Sequence, residues 1–508
     1  MWIRRSRNLP LGGQLYEGLR QAILRGELLP GERLPSTRVL AAREGIGRNT
    51  ALRVYRRLVE EGYVEGCHGR GTFVATDLAG CQGVPSRRPA SRRAKRRRKL
   101  ATSRRSERLA KLAPSWVAPS RSLPYDFHYG RPSDEDFPWT TWRRVLFRCV
   151  RELSLRELEY GDPAGLPALR SQIAMHLRET RGVACDDEQI LIVNGSQQGL
   201  CLAAEVLLDP GDRVVMEEPG YAGAQTVFRA AGATLMAAPV GPDGVDFGEL
   251  AGSTRSTRIV YVTPSHQFPT GTVMSLPQRF ALLEWARRRG AWIFEDDYDS
   301  ELRYGVRPVE SLQGLDPNDS VLYAGTFSKL MFPAMRIGYL VAPRPIVAKL
   351  RTAKAVADTG TSMLQHHALA EFMAAGHFGR HIRRSRARNA RRRAALVTEL
   401  VDRLGLEVEV LGADAGLHVM LRFPRIPLRA EARIIARAAE VGVGVYSPSS
   451  FFLRPRRGGP ASLLLGYASL SPEAIRRGAA RLASIVSGVS RSASRLRSTS
   501  AGRSSITK

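Results

Sequence analysis

The chain has 508 residues, 43% of them hydrophobic and 25% charged, with a formal net charge of +29. That length exceeds one ordinary core and implies two or more domains. No apolar run approaches the roughly 20 residues of a membrane span. The start, Met1-Trp2-Ile3-Arg4-Arg5, lacks the apolar stretch of a secretion signal, and the five cysteines (67, 81, 149, 185, 201) are too scattered to suggest zinc or a redox couple.

Residues 8–76 read as a small helical unit ending in a hairpin. From Gln14 to Arg25, Leu15, Leu19, Ile23 and Leu24 recur at helical spacing, and Gly26 and Pro30-Gly31 then break the chain. Ser36 is placed to cap a second helix, Thr37 to Glu44, with Val39, Leu40 and Ala41 inward. After the turn Glu44-Gly45-Ile46-Gly47, Asn49 is expected to cap a third helix reaching Glu61, with Leu52, Tyr55, Leu58 and Val59 as its buried stripe. Gly62–Glu65 and Gly71–Val74 read as two strands around Cys67-His68-Gly69-Arg70. Helix, helix–turn–helix, then hairpin is the order of a winged helix. Its third helix presents Arg48, Asn49, Thr50 and Arg53, which suit base edges and phosphates. A basic helical hairpin that binds a protein has the same composition, and the net charge of +3 over residues 11–75 does not separate the two.

The string Leu28-Leu29-Pro30-Gly31-Glu32-Arg33-Leu34-Pro35-Ser36-Thr37-Arg38 and the later Gly69-Arg70-Gly71-Thr72-Phe73-Val74 do separate them. Over this whole segment the chain resembles the GntR-type winged-helix regulators. The resemblance implies contacts to double-stranded DNA from Arg38, Arg48, Asn49 and Thr50, and Ser36 and Arg53 are candidates beside them. It also implies a wing tip, His68, Gly69 and Arg70, in or over the minor groove.

Residues 77–122 lose periodicity and fill with Pro, Ser and Arg, as expected of a flexible tether. Residues 87–111 carry thirteen Arg and Lys against one acid, and residues 487–508 add five basic residues and no acid, so these blocks hold 17 of the 29 charges. Such a block is ordinarily a solvated linker or tail, and a basic one also attracts polyphosphate. A short helix is expected to begin within Leu109–Leu112, and residues 487–508 are expected to be a disordered Ser/Arg tail.

Residues 123–486 alternate helical patterns with apolar runs at Gln189–Val193, Arg213–Met216, Ile259–Val262, Trp292–Phe294 and Val321–Tyr323. This predicts a mainly parallel sheet in a three-layer α/β domain, with ligands at the carboxyl ends of the strands. Motifs sit at those ends. Asn194-Gly195-Ser196-Gln197 opens a helix and suits a phosphate. Tyr221 is an aromatic that can stack on a planar ring. Trp292-Ile293-Phe294-Glu295-Asp296-Asp297-Tyr298-Asp299 ends on carboxylates. Tyr323-Ala324-Gly325-Thr326-Phe327-Ser328-Lys329 ends on one amine, with Arg336 just beyond. An amine beside small hydroxyls, plus a carboxylate closing an apolar strand, is the equipment for pyridoxal 5'-phosphate.

Nearly all of 123–486 resembles the fold-type I aminotransferases, whose α/β three-layer fold carries a small C-terminal α+β subdomain. The resemblance implies Lys329 as the Schiff-base lysine and catalytic residue, Asp296 as partner of the ring nitrogen, and Tyr298 on the phenolic oxygen. Ser196, Gln197, Thr326, Ser328 and Arg336 then line the phosphate site, and Tyr221 stacks on the ring. Asp297 competes for the role of Asp296, because neighbouring strand side chains point to opposite faces. Two features depart from the family. Phe268 precedes Pro269-Thr270-Gly271 where an asparagine is usual, and Leu463-Leu464-Leu465-Gly466-Tyr467 is apolar where a carboxylate-binding arginine is usual. Arg454, Arg456 or Arg457 stands nearby as a substitute.

Together the halves resemble the MocR-type branch of the GntR regulators. Ser265-His266-Gln267, Glu295–Glu301 and Gly376–Arg384 resemble that branch rather than plain aminotransferases. The resemblance implies a cytoplasmic, nucleoid-associated homodimer that regulates transcription and senses pyridoxal phosphate or a small amine. The alternative is a metabolic aminotransferase with a DNA-binding appendage. A further option is a structural cofactor with a linker that compacts DNA nonspecifically.

Overall fold

The computed structural model describes residues 2–3, 10–67, 69–77, 101–112, 123–245, 247, 257–305 and 310–501, with side chains through 491. They divide into two compact units, Met1–Ala101 and Thr102–Lys508. His68, residues 78–100 and 113–122 of the expected linker, and residues 502–508 lie outside the described residues. Among the described residues no helix is long and apolar enough to cross a membrane.

The first unit runs α1 (Leu11–Leu24), α2 (Thr37–Glu44), α3 (Arg48–Glu60), β1 (Val64–Cys67) and β2 (Gly71–Val74). Ser36 caps α2 by accepting from the Val39 amide at 3.4 Å, and Gly45, at φ 67°, ends it in the left-handed conformation that glycine adopts freely. The strands pair antiparallel from Val64 opposite Val74 to Cys67 opposite Gly71. Buried Leu15, Leu19 and Ile23 of α1 share one core with Leu40, Ala51, Val54, Tyr55 and Leu58. Three expectations change here. Gly47, not Asn49, precedes α3, which leaves Asn49 in the first turn. The inward face of α3 is set by Ala51, Val54, Tyr55 and Leu58, so Leu52 and Val59, one step round the helix, are 46% and 43% exposed. Val39 of α2 likewise faces outward, at 56% exposure. Glu44, buried, accepts from the Trp2 and Ile3 amides at 3.0–3.2 Å and ties the chain start to the helices.

The second unit begins with α4 (Arg104–Ala110), so residues 104–110 of the expected linker are helical, and this helix ends where Leu109–Leu112 was expected to begin one. It is fastened by Arg108 Nε donating to Ala230 O at 3.4 Å and by an exposed Arg105–Glu205 pair. Then come β3 (Tyr125–Asp126), α5 (Trp139–Glu152), α6 (Pro167–Arg181), β4 (Ile190–Val193), α7 (Ser196–Leu207), β5 (Arg213–Glu218) and α8 (Ala222–Ala231). They are followed by β6 (Thr234–Gly241), β7 (Gly244–Val245), β8 (Thr257–Val262), α9 (Leu276–Arg289), β9 (Trp292–Asp297), α10 (Leu312–Leu315), β10 (Val321–Thr326) and β11 (Gly338–Val341). Eight strands form one sheet in the order β4-β11-β10-β9-β8-β5-β6-β7. Its centre, β10-β9-β8-β5-β6, is parallel, while β11 runs antiparallel to both neighbours and β7 to β6. Side chains alternate between faces: Ile190 and Ile192 enter one core, Leu191 and Val193 another. Both faces are therefore covered, giving the three layers.

The chain continues through α11 (Arg344–Asp358), α12 (Met363–Ala374), α13 (His377–Leu404), β12 (Glu409–Leu411), β13 (His418–Pro427), α14 (Glu431–Glu440), β14 (Val443–Gly444), β15 (Pro460–Gly466) and α15 (Pro472–Ala501). β12, β13 and β15 form a small antiparallel sheet, and β14 pairs in parallel with β3. The tail expected from residue 487 is instead the end of α15, which stays helical to Ala501. Val486 and Val489 extend the stripe of Ile475, Ala479 and Leu482, so the apolar spacing outruns the change in composition.

A buried ion pair closes the sheet against α6. Arg181 Nε lies 2.8 Å from Asp297 Oδ2, Tyr323 Oη donates to the same oxygen at 2.6 Å, and Arg181 Nη2 donates to Ser265 Oγ at 2.7 Å. Removing one partner strands the other charge in a dry interior. Asp297→Ala is expected to destabilise the second unit by about 3–5 kcal/mol, read as a lower denaturant midpoint for its transition. An unchanged midpoint would contradict that role for the pair.

Candidate functional site

On the first unit, Arg38 of α2 and Arg48, Asn49 and Arg53 of α3 are exposed, and Thr50 is half-buried. The first turn of α3 thus offers one guanidinium group, an amide and free backbone N–H groups, with the Arg53 guanidinium one turn further on. Ser36 is exposed, with its hydroxyl engaged in the cap of α2. Gly69 and Arg70 stand exposed at the hairpin tip. Beside that tip Gly71 opens β2 at φ +117°, a backbone conformation that favours glycine, and a Cβ there would meet Arg33 Nε at 3.1 Å.

On the second unit, the ends of β8, β9 and β10, the start of α7 and the segment around Gly130 surround a cavity of about 510 Å³. All nine residues singled out for the cofactor line it: Ser196, Gln197, Tyr221, Asp296, Tyr298, Thr326, Ser328, Lys329 and Arg336. Lys329 follows β10 and donates from Nζ to Gly130 O at 2.8 Å. Burial pushes its pKa down, the carboxylates of Asp299 and Asp296 oppose this, and Arg336 and Arg131 add to it. The loop carrying it is pinned from behind by His381, whose Nε2 lies 2.7 Å from Leu330 O.

β9 sends its carboxylates to different places. Asp296 faces the cavity, where Tyr261 Oη donates to Oδ2 at 2.6 Å and Oδ1 is buried without a partner. Burial pushes its carboxyl up to about 6, with the Tyr261 hydrogen bond pulling the other way. Asp297 does not line the cavity; burial would raise it, but the Arg181 guanidinium holds it below the ordinary carboxylate range. Glu295 accepts from the Leu312 and Gln313 amides at 3.0 Å and serves the start of α10.

At the other end, Ser196 opens α7, and Gly195, at φ +74°, lies against Arg336. A Cβ at 195 would stand 2.7 Å from the Arg336 guanidinium, which donates to Asn194 O at 2.8 Å. Arg336 itself adopts φ +52°, a strained left-handed backbone for a non-glycine residue. Ser328 Oγ is buried with no partner. Tyr221 Oη reaches Gln197 Oε1 at 3.4 Å, and the ring stands edge-on to Phe268.

Several lining residues were not assigned to the site from the sequence. Gly130 and Arg131 come from the first loop after the linker. Tyr129, Phe268 and Phe451 supply an aromatic wall, with Phe268 and Phe451 centroids 4.8 Å apart. Asp299 pairs with His266 Nδ1 at 3.0 Å, and Tyr298 Oη lies 3.1 Å from that nitrogen. His418 adds a second imidazole beside His266. The Gly130-Arg131-Pro132 turn was the available signal, but ligand contacts made through a carbonyl leave no trace in residue type. Arg454, Arg456 and Arg457 do not line the cavity; Arg456 is committed to Glu431 at 3.1 Å.

Comparison with known proteins agrees with both units. Residues 142–482 match the family "Aminotransferase class I and II", and residues 11–74 match "Bacterial regulatory proteins, gntR family". The probable rhizopine catabolism regulatory protein MocR of Rhizobium meliloti is 38% identical over 93% of this chain and 93% of its own. This chain belongs to the MocR-type branch of the GntR regulators. A second relative of this MocR-type protein, the HTH-type transcriptional regulator TauR of Rhodobacter capsulatus, is 32% identical over 93% of this chain and 96% of its own. Among solved structures, the α-aminoadipate aminotransferase LysN of Thermus thermophilus, complexed with N-(5'-phosphopyridoxyl)-L-leucine, is 30% identical. It covers 76% of this chain and 97% of its own, with TM-score 0.67. The chain is thus a DNA-binding transcription regulator with a fold-type I aminotransferase domain, and that domain's family depends on pyridoxal phosphate.

The cavity fits the cofactor. Asp296 Oδ1 is an unused acceptor for a ring N–H, Ser328 Oγ and the start of α7 are unused donors for a phosphate, and Lys329 supplies the amine. In the cofactor-free protein Asp296 holds a proton that the unfolded chain releases near pH 4, so its contribution to stability falls as pH rises from about 4 to about 6. Relative to Asp296→Asn, the parent is expected to lose up to about 3 kcal/mol of unfolding free energy across that window. Denaturant unfolding of both proteins from pH 4 to 7 measures this; a pH-independent difference would refute it.

Proposed function

We propose that this regulator carries pyridoxal phosphate on Lys329 and reads a small amine, or the cofactor itself, through that site, changing its hold on an operator. The observation carrying this is one cavity in which a sequestered lysine faces an unpartnered buried carboxylate oxygen and an unpartnered buried hydroxyl. When bound, the cofactor supplies an aldehyde carbon that bonds to amines. Toward it, Asp296 holds the ring nitrogen, Tyr298 the phenolic oxygen, and Ser196, Gln197, Thr326, Ser328 and Arg336 the phosphate, while Tyr221 covers the ring. Lys329 would hold the cofactor, and with an effector amine bound in its stead the Lys329 amine would be free to donate to Gly130 O, as it does at 2.8 Å here, so that the segment around Gly130 would register the change. Such a contact biases one of two arrangements and so couples the site to DNA binding.

A homodimer in the bacterial cytoplasm, bound to nucleoid DNA, fits this role. Its support is an exposed apolar strip after the middle of α5: Phe147, Val150, Leu155 and Leu158, with Tyr160 93% exposed. Two-fold symmetry then presents two winged helices to paired half-sites. Ser36, Arg38, Arg48, Asn49, Thr50, Arg53, His68, Gly69 and Arg70 make the DNA contacts in this proposal. The competing role, a metabolic aminotransferase, draws on the complete Lys329–Asp296 pair, and sustained turnover between an amino acid and a keto acid would favour it.

Arg48→Ala is expected to weaken operator binding by about 1–3 kcal/mol and to relax base preference. Arg38→Ala is expected to weaken all sequences alike and to reduce the slope of log affinity against log salt by about 1. Gel-shift titrations at several salt concentrations check both. Lys329→Ala is expected to abolish the yellow absorbance, the borohydride-trappable adduct and the effector response together. Retention of the absorbance and the response in that variant would sink the proposed function.

A further inference from the structure

We propose that Arg131 anchors a carboxylate of the effector, so that this chain reads an amino acid with a free carboxylate rather than a carboxylate-free amine. The proposal deepens the reading of the cavity given above and rests on it. Three full cations line the cavity among the described residues: Lys329, Arg336 and Arg131. Two of them are committed. Lys329 Nζ donates to Gly130 O, and Arg336 donates to Asn194 O where it closes on Gly195 at the phosphate end.

Arg131 is different. It is exposed at the rim, and its guanidinium makes no hydrogen bond or ion pair with any described residue. Neither carboxylate on the cavity wall pairs with it: Asp296 Oδ2 accepts from Tyr261 with Oδ1 left open, and Asp299 is held by His266. A free planar fork of donors facing a ligand cavity matches a carboxylate, which takes it bidentately. Position sets the rest of the ligand. Arg131 follows Gly130, whose carbonyl lies 2.8 Å from Lys329 Nζ, so an amine in the lysine's place falls within reach of the guanidinium. The same cavity is lined by the rings of Tyr129 and Phe268, with centroids 6.2 Å apart, an apolar wall suited to a short methylene spacer.

No other described cation does this job. Arg454, Arg456 and Arg457 stay off the cavity, and Leu463, Leu464 and Leu465 are fully buried. The full-length protein loaded with pyridoxal phosphate tests the proposal by absorbance titration. The probes are L-alanine, β-alanine and γ-aminobutyrate on one side, ethanolamine and putrescine on the other.

At least one amino carboxylate is expected to change the parent's spectrum. For that probe Arg131→Gln is expected to raise the half-saturating concentration about 10- to 100-fold, with Arg131→Lys between the two. The variant's response to the carboxylate-free amines and its uptake of pyridoxal phosphate are expected to be unchanged. Three results overturn the proposal: no amino carboxylate acts on the parent, Arg131→Gln weakens both probe classes equally, or it weakens cofactor uptake by the same factor. The last would mark Arg131 as a phosphate ligand instead. A parent that takes up no cofactor overturns the underlying reading as well.

Discussion

The site depends on a rule of strand geometry applied to three acids in a row. Along β9, Glu295, Asp296 and Asp297 alternate in direction, so neighbouring carboxylates have different surroundings. Asp296 enters the cavity with one oxygen unspent. Asp297 goes to the far side and is neutralised by Arg181 and Tyr323, and Glu295 is consumed by the first amides of α10. Were all three free, their mutual repulsion in a dry interior would keep the sheet from closing. The two structural pairings let a third carboxyl remain available, with its proton held more tightly than in water. Lys329 stands in the turn just after β10, which pairs in register with β9 through Ala324 opposite Asp296.

Much of this was legible because the chemistry and the periodicity coincide. The central strands are short apolar runs followed at once by polar residues, so their ends and the site were found together. Asp296 against Asp297 was not decidable from spacing alone, since either phase of the alternation satisfies the pattern; Arg181, 116 residues upstream, makes the choice. The stripe of α3 was misplaced by one step because Leu52 and Val59 are larger and more apolar than Ala51, while close helix packing selects the small residue. β11 went unnoticed, since four residues running against the sheet direction carry no signal beyond hydrophobicity.

The end of α15 shows the reverse problem. Composition past residue 487 turns to Ser and Arg, which reads as an unstructured tail, yet two valines at helical spacing keep the helix in register with its core. Composition averages over a window, whereas burial is settled residue by residue. The proposed carboxylate-binding position was similarly hidden. Proximity in sequence to the apolar Leu463–Tyr467 stretch pointed to Arg454, Arg456 and Arg457, but none of them lines the cavity and Glu431 holds Arg456, whereas Arg131, which does line it, is on a loop far earlier in the chain.

Positions 195 and 336 carry unequal evolutionary restrictions. The guanidinium occupies the volume that a side chain at 195 would need, and its own backbone is held in a conformation that only a supported residue keeps. Glycine at 195 is required twice over, by that volume and by its own φ of +74°, which side chains rarely adopt. The dependence therefore runs one way: in a lineage that gave up an anion here, position 336 would be released to vary while position 195 stayed glycine.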